Sequence, residues 1–483
     1  MTRVLVIGAG PAGLAAAARL LEKGKGKVQV QLVHMGHHLG GKAASYRSDD
    51  GRFVEHGWHM VLGFYKRMRS LLARAGVDER QAFRSMGRTS YPYEPTTGRI
   101  HSLPAARTRA DFLAQFAFEY DGLAGGDKAN YASFMLQTYL RVLSDEPLTP
   151  YDDLCFNTWA IEHGLRPHLT RTSVVRLSRD GYFNFPEQIS AYHMLQSMRL
   201  IDSPDSGEQF VCTGPYSEKV WEPLGQYLQR LGAAIEPFTM ATDWLWEGRR
   251  IVGVKVSRPD SAGHHDGRTS WQEPAIPKAP GTEQVLRDFD FVVSTIPHAV
   301  FIKMNAQDAR MWRSPYFSRL LNLRSAATVS MTLISSEPGL LPYRGPVFGF
   351  PAPLGIAINM TVYWQEYRQN PNVRSAIAFV GQEAGFEAWT DQEIIDFTLD
   401  NFSKGVGDLR RGTFSVELHR NRSDFERLLL CEPGVNQFRP GPLTPFTNLF
   451  LAGDWVRNDV DLICMEGAMA SGEAAADLVL ARA

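Results

Sequence analysis

Cysteine is scarce in this chain: four in 483 residues, at Cys155, Cys212, Cys431 and Cys464. They stand far apart, with no CxxC pair and no Cys/His ligand spacing, so no metal site is expected. They read as buried thiols of a reducing compartment. An excess of either charge is also lacking. Lys plus Arg is 51 against Asp plus Glu at 52, a net charge of -1. That argues against nucleic acid as a partner, and no clustered basic tail of the kind that docks on anionic lipid is present. No uncharged apolar stretch reaches about 18 residues, so no membrane-spanning helix is expected. No charged n-region leads into a long apolar run and cleavage site, so no signal peptide is expected either. Internal repeats and long low-complexity tracts are missing too. A cytoplasmic globular chain, with peripheral membrane association left open, is expected. Its 44% hydrophobic content suffices for a real core, and its length suggests roughly two to four domains.

The chain opens on a strand signal. Val4 to Ile7 is a short aliphatic run of the buried parallel type. Gly8-Ala9-Gly10-Pro11-Ala12-Gly13 follows, and Leu14 to Glu22 reads as an Ala-rich helix. Strand, glycine loop and helix together turn a weak GxGxxG match into an informative one. Gly8 permits the tight turn, Gly10 has no side chain to hold a pyrophosphate away, and Gly13 lets helix and strand pack closely. The diphosphate then meets free N–H groups at the positive helix end. Val28 to Val33 reads as the second strand, and its end should carry an acidic residue for the adenosine ribose. His34 stands there instead. A neutral imidazole still makes one hydrogen bond. The exchange costs about 1 kcal/mol, and it leaves NADP as the alternative nucleotide.

Further segments ask for a longer ligand than a nicotinamide dinucleotide. Leu39-Gly40-Gly41-Lys42 adds two glycines and a cation, suited to a pyrophosphate and ribityl chain, with Lys42 balancing diphosphate charge. Near the end, Leu449 to Leu451 forms a strand that runs into Ala452-Gly453-Asp454, where Asp454 can accept from a ribityl hydroxyl. Met465-Glu466-Gly467-Ala468 begins a helix whose positive end favours an electron-rich ring edge. These motifs resemble the FAD-dependent amine oxidase and carotenoid desaturase superfamily. Gly57-Trp58-His59 with Gly63-Phe64-Tyr65, Phe183-Asn184-Phe185-Pro186-Glu187 and Gly214-Pro215-Tyr216-Ser217-Glu218-Lys219 look more like the plant and cyanobacterial phytoene and zeta-carotene desaturases. The resemblance touches both termini and the middle of the chain.

It implies an α/β fold: a Rossmann-like FAD-binding domain, glutathione-reductase-like, interleaved with an α+β substrate domain. FAD segments are expected at 1–85, 205–300 and 431–483, and substrate segments at 86–204 and 301–430. Helices are expected over Ala110 to Tyr120, Tyr131 to Leu143, Trp159 to His163, Ser190 to Leu200 and Val220 to Leu231, with strands at Ala234-Ile235, Ile251 to Val256 and Phe291 to Thr295. Backbone near Ala241 is implied to flank the adenine. Ser257 to Gln284, with His264-His265, reads as a solvated hairpin loop. Met311 to Leu321 mixes aromatics, leucines and arginines. That pattern fits an interfacial helix with peripheral membrane contact and fits a half-buried surface helix equally well.

The implied function is FAD-dependent removal of hydride from an apolar, isoprenoid or carotenoid-like substrate, with a quinone or oxygen as electron acceptor. Hydride loss from an allylic C–H leaves a delocalised cation, so the protein must exclude water and stabilise charge. Trp58 and His59 are candidates for the ring-side position, and His56 for a structural histidine. Lys219 stands where the desaturases often carry arginine, and Glu187 is a candidate pocket carboxylate or helix-start residue. Cofactor contacts are expected from Gly8, Gly10, Pro11, Ala12, Gly13, His34, Gly40, Gly41, Lys42, Gly57, Trp58, Ala241, Gly453, Asp454, Met465, Glu466 and Ala468. No acid or base is assigned. A covalent flavin link through Cys464 is the alternative for that thiol. Three rivals share the fold: an amine oxidase, a carotenoid cis–trans isomerase, and a non-catalytic prenyl binder like the Rab GDP dissociation inhibitors. Asp454 stands where amine oxidases usually carry Glu, and the intact glycines speak against a binder.

Overall fold

A computed structural model describes the chain except residues 37, 48–52, 56, 90, 96, 104, 112–113, 115–122, 124, 145, 171–175, 261–276 and 411. Strand β1 (Thr2–Ile7) is buried from Val4 onward, as a strand covered on both faces must be. The glycine loop hands over to helix α1 (Pro11–Gly24), with Pro11 at its start, where a missing N–H is harmless. Strand β2 (Val28–Val33) lies parallel to β1. Helix α2 (Lys66–Arg74) follows, then α3 (Gly125–Val142) and α4 (Ala191–Leu200). Strand β3 (Ala234–Glu236), strand β4 (Phe291–Ser294), strand β5 (Leu449–Leu451) and helix α5 (Met465–Leu480) complete the first layer. The strand order is β5-β4-β1-β2-β3, every pair parallel. This doubly wound pattern binds ligands beyond the strand ends where the order reverses.

Close packing of α1 explains two glycines. A Cβ on Gly13 would lie 1.9 Å from the Gly8 carbonyl oxygen, and one on Gly472 of α5 would lie 2.1 Å from that of Ala12. Only bare backbone lets helix meet loop and helix meet helix here. A second sheet of six strands takes its members from Tyr91–Pro92, Val347–Phe348, Ile356–Asn359, Ser375–Gln382, Thr328–Ser335 and Phe414–Asn421. Helices α3, α4 and Phe156–Glu162 form a third, helical core around Trp159, Leu169 and Leu195.

Several expectations need adjustment. Met311 to Leu321 is not one helix: Pro315 restarts the chain, leaving Ala309–Trp312, Pro315–Ser318 and a 3-10 turn Arg319–Asn322. Met311, Phe317 and Leu320 point into the core while Leu321 is exposed, so the segment is half-buried. Cys212 and Cys431 are buried, but Cys155 and Cys464 are only half-buried; all four are free thiols. Most of the expected helix Ala110 to Tyr120, and residues 261–276 with His264-His265, lie outside the described residues. Among the described residues, no helix is long and apolar enough to cross a membrane, and no acidic, cysteine and histidine cluster could hold a metal ion.

Candidate active site

One cavity of about 1280 Å³ runs through the molecule. Small-ligand pockets hold roughly 300–1,000 Å³, so this one has room for an extended cofactor and a second molecule. Its first stretch lies over the ends of β1 and β2, lined by Gly8, Gly10, Pro11, Ala12, His34 and Ala241. Gly8 adopts φ +108°, and a Cβ there would meet Thr295 Oγ1 at 2.4 Å. Thr295 Oγ1 in turn donates to the Ile7 carbonyl (2.9 Å), so Gly8 is required by its neighbour as well as by its turn. Gly40 donates its N–H to Ala9 (2.8 Å). A Cβ on Gly41 would come within 3.1 Å of Gly10 Cα. The two glycine patches, thirty residues apart in sequence, therefore form one floor of bare backbone. Gly13 and Gly40 serve that floor by packing and hydrogen bonding and do not themselves line the cavity.

The middle of the cavity is charged. Lys42 Nζ lies 3.4 Å from Asp454 Oδ2, and both line the wall with Gly41 and Gly453. Burial opposes the charge on Asp454, but Lys42 above all, with Arg439, outweighs it and holds its carboxyl below the usual range. Burial and Lys42 push His298 down to about 4, so its imidazole is neutral at ordinary pH. Gly453 (φ +140°) turns the chain between β5 and Asp454. Met465 and Ala468 bring the start of α5 to the same wall. Cys464 caps that helix, its Sγ accepting from Gly467 N–H (3.4 Å). Glu466 points elsewhere: its carboxyl accepts from Arg67 N–H (2.7 Å) and Met68 N–H (3.1 Å), at the start of α2. A carboxylate is thereby kept off the cavity wall.

Another part of the cavity wall is apolar. Tyr131 and Met135 of α3, Phe156, and Met194 and Met198 of α4 line this chamber. Tyr65, Tyr182, Cys431 and Cys464 line the cavity too. Burial raises both Tyr65 and Tyr182, and pushes the Cys464 thiol up to about 12, so all three stay neutral. Trp58 and His59 line the cavity as well; His59 meets Tyr216 edge-on (5.7 Å) and its carbonyl accepts from the Tyr216 hydroxyl (3.0 Å). Gly57 lies beside them at φ +148°.

Lys219 is not brought to the cavity. It sits in a π-turn, Ser217–Trp221, which exposes its side chain while burying Val220 and Trp221. Glu187 does not line the cavity either. His56 lies outside the described residues. Sequence reasoning missed Thr295, His298, Tyr65, Tyr182 and Arg439. Tyr65 stood inside the Gly63-Phe64-Tyr65 motif and Tyr182 beside Phe183-Asn184-Phe185, and the Thr295-Ile296-Pro297 turn follows β4, whereas nothing around His298 or Arg439 marks either residue.

A family model described as flavin containing amine oxidoreductase matches residues 11–480. The 15-cis-phytoene desaturase of Synechococcus elongatus is 23% identical over 499 residues, covering 99% of this chain and 96% of that protein. The zeta-carotene desaturase of Synechocystis sp. is 23% identical over 508 residues, covering 99% and 97%. Among solved structures, an oxidoreductase from Methanosarcina mazei matches with a TM-score of 0.68 at 15% identity, over 99% of this chain and 100% of that one. Putrescine oxidase with putrescine bound matches with a TM-score of 0.69 at 13% identity, over 100% and 99%. At such identities the structural likeness speaks for the fold alone.

Proposed function

The chain belongs to the flavin containing amine oxidoreductase family and is an FAD-dependent oxidoreductase; we propose that its substrate is an apolar, isoprenoid or carotenoid-like molecule, from which it removes hydride to form a double bond. The observation that carries this reading is the methionine- and aromatic-lined chamber within the same cavity as Asp454. Unbranched thioether side chains adapt to a long, irregular apolar ligand. The desaturase relatives point the same way.

The residues present fit FAD. Bare backbone at Gly10 and Gly41 lets the two loops meet as one floor beside the start of α1, on which a diphosphate can lie. In this reading His34 and Ala241 face the adenosine end, Lys42 and Asp454 the middle, and Met465 and Ala468 the ring end. The domain division at 1–85, 205–300 and 431–483 against 86–204 and 301–430 belongs to the same proposal, supported by where the two large sheets draw their strands. When bound, FAD supplies a two-electron acceptor for hydride. The chain's own contribution is to hold the substrate C–H in a dry chamber, among Trp58, Tyr65 and Tyr182. It also presents the positive end of a 16-residue helix, α5, where negative charge accumulates. Loss of a proton from the neighbouring carbon to water completes the double bond, so the substrate gives up two electrons and two hydrogens in all.

Anaerobic bleaching of the flavin tests this. Acyclic polyenes should bleach the visible band; amines should not. Bleaching by amines alone overturns the substrate reading. Rearranged double bonds without net bleaching would favour an isomerase.

A further inference from the structure

Arg439 has no exposed side-chain surface and does not itself line the cavity. It folds beneath the loop that follows β5. Its Nη2 donates to the carbonyls of Asp454 and Val456 (both 3.3 Å), and its Nε to that of Trp455 (3.4 Å). Its Nη1 donates to Asn436 Oδ1 (2.9 Å) and Asp461 Oδ1 (2.7 Å). A guanidinium has five N–H donors in a rigid fork, and here each has an acceptor. Three successive carbonyls around Asp454 are thereby fixed in a dry interior.

Both remaining arms end on α4. The Tyr192 hydroxyl donates to Asp461 Oδ2 (2.7 Å), and Gln196, one turn later, donates to the Val460 carbonyl (2.9 Å). On the other side the Asn436 amide donates to Asp152 Oδ1 (3.0 Å), which also accepts from Ser190 Oγ (3.1 Å), just before α4. Asp461 holds φ +50°, a left-handed conformation unusual for a residue with a side chain. The network thus joins the helix that carries Met194 and Met198 to the loop that carries Asp454.

We propose that Arg439 is a positioning residue for FAD: by clamping the carbonyls of 454–456 it holds Asp454 and its Lys42 partner at the cavity wall, and its Asp461–Tyr192 arm braces that wall against α4. The proposal needs FAD binding alone, so it stands or falls separately from the substrate assignment.

FAD affinity of the flavin-stripped full chain, read beside its thermal melt, tests the clamp. Lysine offers three donors on a point charge and cannot serve five acceptors in a plane. Arg439→Lys should weaken FAD binding at least tenfold. Tyr192→Phe removes one hydroxyl and should weaken it about threefold, with a melt lowered less than that of Arg439→Lys. In an Asp454→Ala background, the Arg439→Lys loss should shrink to below threefold, because its route through Asp454 is gone. Full additivity of the two substitutions overturns the proposal. So does wild-type affinity in either single variant, including an Arg439→Lys protein whose only defect is a lower melting temperature. If Arg439→Lys does not fold, Tyr192→Phe decides alone.

Discussion

Glu55 holds its proton more tightly than most glutamates do. Burial pushes its carboxyl up to about 8 from an ordinary 4.5, even though the Tyr216 N–H (3.2 Å) favours the ionised form. The consequence for stability has a definite sign. Below pH about 4.5 folded and unfolded chains both hold the proton, and the group's contribution is fully present. As pH rises the unfolded chain releases the proton while the folded chain must keep it, so stability drains away until pH about 8. Glu55→Gln cannot titrate. Its melting temperature should decline less between pH 5 and 8 than the wild type's, with the gap widest near pH 8. Parallel pH profiles would refute this assignment. Asp454 behaves oppositely, since its cationic neighbours keep it ionised. A hydrogen bond to a charged group contributes about 1.5–3 kcal/mol. Asp454→Ala should therefore raise the FAD dissociation constant roughly tenfold to a hundredfold, measured by flavin fluorescence.

At the level of elements, Glu466 ties two helices with one side chain. It belongs to the first turn of α5 by sequence, where an acidic residue suits the helix dipole. Its carboxyl reaches across to cap α2, whose first N–H groups have no partner within their own helix. Arg67 strengthens the joint by pairing with Asp459 and Glu473. Glu466→Ala leaves two N–H groups without an acceptor and should cost about 1–3 kcal/mol by chemical denaturation. Glu466→Gln keeps one carbonyl oxygen and should lose less. Equal losses in the two variants would show that charge, not capping, holds the joint. The motif Met465-Glu466-Gly467-Ala468 was legible as a helix start near a cofactor. The direction of its acidic side chain was not, because that depends on where α2 packs, some four hundred residues earlier in the chain.

The cavity belongs to the whole molecule: its floor comes from the parallel sheet, and its apolar wall from α3, α4 and Phe156. The chamber can be filled without touching the cofactor floor. Met198 is almost fully buried and lines the chamber from α4. Met198→Trp should slow substrate bleaching of the flavin more than tenfold while leaving FAD affinity within about twofold; overpacking itself costs about 1–3 kcal/mol. Equal loss of FAD affinity and bleaching would mean that chamber and cofactor cleft are not separable.

The amino-acid order alone determined the strand–glycine–helix opening, the second glycine pair and the Gly453-Asp454 turn. Those features are local: backbone that must turn sharply or approach a phosphate admits only glycine, and this leaves a mark in sequence. Tertiary structure alone decided that Gly10 and Gly41 form one surface, that Lys42 pairs with Asp454, that Lys219 faces solvent, and that Arg439 gathers five acceptors. Such contacts join residues up to about four hundred positions apart, and nothing in either partner's neighbourhood encodes the other. The apolar chamber is of the same kind. Methionines and aromatics are used equally for cores and for pockets, and only the packing of α3 against α4 leaves a space between them.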